Sequence, residues 1–220
     1  MNPATLHLQD ACLRLGTRIL IPPTSLSIPP GEVITLMGES GSGKSSLLAW
    51  LCGTLPRAFT ASGRILAGNL DLTHLPPERR HLGILFQDDL LFPHLSVGDN
   101  LAFALPAAIR PRADRRLRVE QALAEAGLHG FADRDPATLS GGQRARVAVM
   151  RVLLSQPRAL LLDEPFSKLD ASTRQRFREF VFDHLRQLRL PTLLVTHDRA
   201  DADAAGGRVI ELPPAEPDRR

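Results

Sequence analysis

The octapeptide Gly38-Glu39-Ser40-Gly41-Ser42-Gly43-Lys44-Ser45 constrains this chain more than any other stretch. It follows the apolar run "VITLM" and leads into "SLLAWLC". Three glycines permit a tight loop whose N–H groups turn inward. Between a strand and a helix, such a loop makes an anion cradle at the helix N-terminus. The spacing is that of a phosphate-binding loop, with Lys44 reaching the β- and γ-phosphates and the Ser45 hydroxyl serving as a magnesium ligand. Ser46 joins the set as the next residue of the helix start. A chain carrying this element is expected to be an α/β protein.

The rest of the pattern agrees. Apolar runs predict strands at residues 5–9, 25–28, 32–37, 64–67, 83–86, 159–163, 192–196 and 208–212. "VITLM" and "ALLLD" are apolar on both faces, as in a central parallel sheet covered by helices. Helices are expected at 44–52, 97–104, 112–126, 142–154 and 171–188. In the last of these, Phe177, Phe180, Val181, Leu185 and Leu188 share a face. The proline pairs in "IPPTSLSIPPG" and "LPPAEPDRR" read as breaks in regular structure. Residues 88–139 read as helices and loops between two strand-rich parts, an α/β core with a helical insert.

Composition narrows the class. At 220 residues and 43% hydrophobic content, one sizeable core is supported. The net charge is +3, and basic residues run from Arg14 to Arg220 without forming a stripe, so a solvated surface is expected and no nucleic-acid partner. Cys12 and Cys52 lack metal-ligand spacing and fit a reduced, cytosolic compartment. No signal peptide and no 18-residue apolar run is visible, so membrane attachment is expected through a partner. Only Lys44 and Lys168 are lysine among 27 basic residues. A compact ammonium suits Lys44 in a phosphate loop, whereas spacing gives no account of Lys168.

A magnesium site needs a carboxylate partner, and "LLLDEP" provides one. Asp163 ends a strand and is placed to hold the metal ligand shell. Glu164, next to it, is the candidate general base for an attacking water. A second glycine-rich helix entry, Leu139-Ser140-Gly141-Gly142-Gln143, is then unexplained, because one phosphate loop is already present.

With this pentapeptide the sequence resembles the ATP-binding subunit of ABC transporters, in its importer-type form. The resemblance runs from about Leu6 to Leu212. It rests on the phosphate loop, Gln87 after "GILF", the pentapeptide, the Asp163-Glu164 pair, "SKLD" ending at Asp170, and His197 in "LLVTHD". It implies an α/β fold: a P-loop NTPase (RecA-like) core with an N-terminal antiparallel β subdomain and an inserted α-helical subdomain. The whole chain would be one nucleotide-binding domain, with its core at 1–87 and 155–220 and its helical subdomain at about 88–154.

The resemblance further implies ATP and Mg²⁺ as ligands. Two cassettes, expected as a homodimer, would stack head to tail, so that Ser140, Gly141, Gly142 and Gln143 of one face the phosphate loop of the other. Gln87 would touch Mg²⁺ and the attacking water, His197 the γ-phosphate, and Asp170 would couple the two sites. The partners would be a transmembrane permease and, indirectly, a solute-binding protein, at the cytoplasmic face of the inner membrane. Leu91, Phe92, Pro93 and His94 are the candidates for permease docking, or else simply pack the helical insert. Nearby subgroups import thiamine, iron, sulfate and polyamines.

The main alternatives are an ABC ATPase driving lipid, lipoprotein or cell-envelope processes, and a soluble non-transport ABC ATPase. The chain carries one cassette and no heptad run, which disfavours the latter. No room is expected for a C-terminal regulatory domain.

One departure stands out. Where the family usually stacks adenine on an aromatic residue, "RLG" places Leu15, and the chain has no tyrosine. A modest preference for ATP over GTP is therefore expected, and near-equal turnover of the two would fit it.

Overall fold

The computed structural model describes residues 3–39 and 41–212. Its strands are β1 (Leu6–Leu15), β2 (Arg18–Ile28), β3 (Val33–Met37), β4 (Phe59–Ala67), β5 (Leu70–Asp71), β6 (Leu82–Leu85), β7 (Ala159–Asp163), β8 (Thr192–Val195) and β9 (Arg208–Glu211). Its helices are α1 (Lys44–Cys52), α2 (Pro77–Arg80), α3 (Val97–Ala104), α4 (Arg112–Glu125), α5 (Gly141–Leu154), α6 (Ala171–Leu188) and α7 (Arg199–Ala205). The chain divides into two compact units.

The first unit comprises residues 1–84, 158–164 and 182–220. It contains an antiparallel sheet in the order β2-β1-β4-β5 and a five-stranded sheet in the order β6-β7-β8-β3-β9. In the latter, β3 pairs in parallel with β8 and β9, and β7 with β8. Residues 33–36 and 159–162 are buried without alternation, as both-face burial requires. Leu47, Leu48 and Leu51 of α1 join this core together with Leu6, Leu8, Leu13, Ile34, Leu36, Leu161 and Leu193.

The strands β1 and β2 run well beyond the expected 5–9 and 25–28. Two local devices explain this. Asp10 adopts a φ of 49° at a register shift between Leu8 and Ala11, so the strand bulges and resumes. Pro22 and Pro23 do not break β2, contrary to the sequence expectation, because β2 is an edge strand and the two prolines fall at a register shift, between the paired residues Ile21 and Thr24. A missing N–H costs no ladder bond on an open edge. Residues 213–220, which include most of the second proline-rich stretch, lie outside the described residues.

The second unit comprises residues 85–157 and 165–181. It thus takes in residues 165–181 besides the segment expected as the insert. Local contacts account for that. Phe166 and Phe177 pack edge-to-face at 5.7 Å, the Arg146 guanidinium lies over Phe180, and Lys168 pairs with Asp88. The helices α3, α4 and α5 bury Val97, Leu101, Val119, Leu123, Val147 and Met150. In α6, Phe182 is buried and Leu188 exposed, so the buried face is Phe177, Val181, Phe182 and Leu185. No helix among the described residues is long and apolar enough to cross a membrane.

One buried cation organises the end of α1. Arg80 is 5% exposed, and its guanidinium donates to the carbonyls of Trp50 at 2.7 Å, Leu51 at 2.8 Å, Leu75 at 2.8 Å and Thr73 at 2.9 Å. The first two lie in the last turn of α1, where a helix leaves carbonyls without intrahelical partners; the Trp50 carbonyl also accepts from the Gly53 N–H at 3.0 Å. Replacing Arg80 by Met keeps the stem and removes all four bonds. Urea unfolding of R80M should show a loss of about 2–3 kcal/mol as a lower midpoint at unchanged slope, with R80K falling between it and the parent protein.

Candidate active site

In the first unit, the C-terminal ends of three neighbouring strands, β7, β8 and β3, each open into a predicted site segment. That edge of a parallel sheet is where ligands bind in α/β folds. β3 leads into the glycine loop, β7 ends at Asp163, and β8 leads to His197.

The loop from Gly38 to Gly43 holds its shape by requiring glycine. Gly43 caps α1 at a φ of 89°, and a Cβ there would lie 2.9 Å from Leu20 Cβ. Ser40 lies outside the described residues. Lys44 is 6% exposed, and its ammonium donates to the carbonyls of Gly38 at 2.8 Å and Glu39 at 2.7 Å. Ser42 Oγ lies 3.3 Å from the same nitrogen. Burial lowers the Lys44 pKa, and the negative charges of Glu164 and Asp163 oppose that shift.

Ser45 Oγ donates to Asp163 Oδ1 at 3.0 Å, joining residues 118 positions apart. Burial pushes the Asp163 carboxyl above its ordinary value. The Ser45 bond opposes this, Glu164 adds to it, and Lys44 opposes it. The next residue, Glu164, has a φ of 47°. This is the left-handed region, uncommon for a residue with a Cβ, and such strain clusters at functional sites. Its N–H donates to the Val195 carbonyl at 2.9 Å, which ties the turn to β8. Glu164 Oε1 lies 3.1 Å from His197 Nδ1. Asp198 caps α7, accepting from the Ala200 N–H at 2.8 Å.

The glycine loop, the start of α1 and Glu164 border a cleft of about 390 Å³. Lys44, Ser45, Ser46 and Glu164 line it, and so do Leu15, Arg18 and Phe59. Arg18 and Phe59 were missed by motif reading. The available signal was the register of three strands, which places Arg18 and Phe59 on either side of Leu15.

Gln87, the Leu139-to-Gln143 segment and Asp170 belong to the second unit. Gln87 is exposed and shares a cavity with Asp88, Gly141, Arg144 and Lys168. Ser140 caps α5 in a closed box: its Oγ accepts from the Gln143 N–H at 3.3 Å, and Gln143 Oε1 accepts from the Ser140 N–H at 2.9 Å. Gly141 faces open space, whereas a Cβ on Gly142 would lie 2.6 Å from Thr173 Cγ2. Asp170 accepts from the Ser172 hydroxyl at 2.8 Å and the Thr173 N–H at 3.0 Å. The Thr173 hydroxyl and N–H, followed by the Ser172 hydroxyl, hold its carboxyl well below the usual range.

The proposed docking residues are partly spent on internal packing. Phe92 is half-buried, edge-to-face with Phe103 at 4.9 Å, under the Arg151 guanidinium. The buried Asn100 amide bonds the Phe92 backbone through both its oxygen and its nitrogen. Leu90 and Phe103 are the outward apolar residues here, at 54% and 69% exposure.

Comparison with known proteins agrees with this geometry. A model of the family described as ABC transporter matches residues 21–167. The chain is 48% identical to the uncharacterized ABC transporter ATP-binding protein YnjD of Escherichia coli (strain K12), over 90% of this chain and 91% of that protein. It is 42% identical to the Fe(3+) ions import ATP-binding protein FbpC 1 of Rhizobium meliloti (strain 1021), over 96% of this chain and 59% of that protein. It is 47% identical to the putative 2-aminoethylphosphonate import ATP-binding protein PhnT of Salmonella typhi, over 84% of this chain and 49% of that protein. The chain thus spans only about half the length of the two import proteins. The phosphate loop, its Asp163 partner and these similarities lead to one conclusion: the chain belongs to the ABC transporter family, as an ATP-binding protein with ATPase activity.

Proposed function

We propose that this protein powers solute import across the cytoplasmic membrane, as the ATP-hydrolysing subunit paired with a transmembrane permease. The observation that carries the ATPase chemistry is the set Ser45–Asp163 and Glu164–His197, formed at the ends of adjacent parallel strands. Import, as the direction of transport, is supported by the similarity to proteins named for import of iron(III) and 2-aminoethylphosphonate.

In this reading the triphosphate lies along the glycine loop. Lys44 exchanges its carbonyl partners for β- and γ-phosphate oxygens. The hydroxyl of Ser45 and the carboxylate of Asp163 are hard oxygen donors of the kind Mg²⁺ takes, and Gln87 is the third candidate ligand. When bound, the ion neutralises charge building on the phosphates. Glu164 accepts a proton from the attacking water. His197 keeps the Glu164 carboxylate oriented and contacts the γ-phosphate.

The Ser140-to-Gln143 segment of a second copy completes the site. It offers the positive end of α5, whose first residue faces open space. Asp170 couples the two sites. The subunit sits peripherally on the cytoplasmic face, with the Leu90-to-His94 segment toward the permease. A solute-binding protein delivers the cargo.

Two variants test the catalytic assignment. Glu164→Gln should keep ATP binding, cut the steady-state hydrolysis rate by about a hundredfold or more, and shift the chain to a dimer in sedimentation velocity with ATP. Near-normal turnover by this variant would remove Glu164 from the base role. Lys44→Ala should instead weaken nucleotide binding itself and abolish the ATP-dependent dimer. Co-purification of a polytopic permease from detergent-solubilised host membranes tests the import reading. Recovery of the chain only from the soluble fraction would overturn it.

A further inference from the structure

The turn that carries His197 is fixed by a buried polar pair that no motif includes. Thr196, the residue before His197, is 1% exposed, and Asp201, in the first turn of α7, is 3% exposed. The Thr196 hydroxyl donates to Asp201 Oδ2 at 2.9 Å and accepts from the Asp198 N–H at 3.1 Å.

An acid in the first turn of a helix is ordinary, because it complements the positive end of the helix dipole from water. Burying one is not. Aspartate is among the residues least often fully buried, and an interior carboxylate is costly. The start of α7 is already capped by Asp198. An acid that served only this helix could stay in solvent, so the bond to Thr196 is what the burial of Asp201 secures.

The rest of the turn is pinned as well. The Thr196 N–H donates to the Leu36 carbonyl of β3 at 3.2 Å, and the Glu164 N–H donates to the Val195 carbonyl at 2.9 Å. The residue before His197 is thus tied to β3 by its backbone and to α7 by its side chain, and the residue after it caps α7. The His197 side chain itself is 63% exposed, with Nδ1 3.1 Å from Glu164 Oε1. Packing does not hold so open an imidazole. Its placement comes from the backbone that carries it.

We infer that Thr196 and Asp201 are positioning residues for hydrolysis, their buried hydrogen bond setting the His197 turn and thereby the aim of the imidazole at Glu164 and the γ-phosphate. The inference rests on the ATPase reading and adds two residues to it. Neither side chain lines the nucleotide cleft. Their loss should therefore lower the rate and spare nucleotide affinity, since a small misplacement of a catalytic group is enough to slow a reaction.

Steady-state ATP hydrolysis by the full chain tests this, with folded protein counted by the stoichiometry of ADP binding in calorimetry. Thr196→Val keeps the shape and loses the hydroxyl. It should lower kcat about tenfold and leave the ADP Kd within about twofold. Asp201→Ala, which leaves no buried carboxylate behind, should do the same from the other side. Thr196→Ser and Asp201→Asn can still form the bond and should stay within about threefold of the parent kcat. In a His197→Ala background, Thr196→Val should cost less than about twofold more, because the two changes remove one function. Parent-like kcat per folded site in Thr196→Val and Asp201→Ala overturns the inference. So does a Thr196→Ser loss as large as that of Thr196→Val, or an undiminished effect in the His197→Ala background. Each of these leaves His197 its role if His197→Ala alone is slow. Parent-like hydrolysis by His197→Ala removes that role, and the inference with it.

Discussion

The site depends on keeping one ammonium group nearly dry. Lys44 is almost fully buried, and burial lowers its pKa. Three loop oxygens and the nearby charges of Asp163 and Glu164 hold the cation in place. That demand shapes the surroundings. The loop must curl its carbonyls onto the side chain, which fixes Gly43 in a conformation where a Cβ would strike Leu20. The carboxylates must come from a strand one place removed in the same sheet, and β7 reaches that position only because the sheet is parallel and buried on both faces. Burial of Asp163 raises its pKa while Ser45 and Lys44 pull the other way. Asp163 and Glu164 thus act against the effect of burial on Lys44, and Lys44 acts against it on Asp163, with the Ser45 hydroxyl the larger help to Asp163.

The parts of the fold set by two-sided burial were the most legible in the sequence. "VITLM" and "ALLLD" carry no alternation, and both lie in the central sheet with the expected bounds or within one residue of them. Elements that depend on a neighbour were not legible. Pro22 and Pro23 suggest a break, and the edge position of β2 together with a register shift makes them harmless. The continuation of β1 past Asp10 needs a bulge that no local pattern announces. The short α2 matters less for its four residues than for Arg80, which reaches back to the end of α1. A buried arginine bonded to carbonyls some 30 residues away cannot be read from periodicity.

The site divides along the same line. Gly38 to Ser45, Asp163 and Glu164 are legible because their chemistry fixes both residue type and spacing. The strain at Glu164 and its contact with His197 are not, since a φ of 47° and a 3.1 Å approach belong to tertiary structure. Arg18 and Phe59 escape a motif search because they meet Leu15 through strand register. Lys168, which spacing left without an account, pairs with Asp88, next to Gln87. Both partners are well exposed, so this pair adds little to stability. Its consequence is geometric, linking the Gln87 segment to the one that leads into Asp170.

The second unit spends its polar motif side chains locally. Ser140 and Gln143 close a capping box on α5, and Asp170 bonds the first turn of α6. A side chain already paired this way has less to offer a distant phosphate than a free one. What α5 presents outward is instead its helix terminus at Gly141, where nothing crowds the approach. Gly142 is then required for a different reason, since its neighbour Thr173 leaves no room for a Cβ. The pentapeptide is thus doubly constrained. Its serine and glutamine hold the helix end rigid, and its glycines keep that end bare on one side and tightly packed on the other. A rigid, uncrowded dipole end suits an anion brought to it on another surface, because nothing in it has to reorganise on contact. In the proposed pairing of two copies, a chain with one complete phosphate loop would carry its second glycine-rich helix entry to serve the opposite side of the interface.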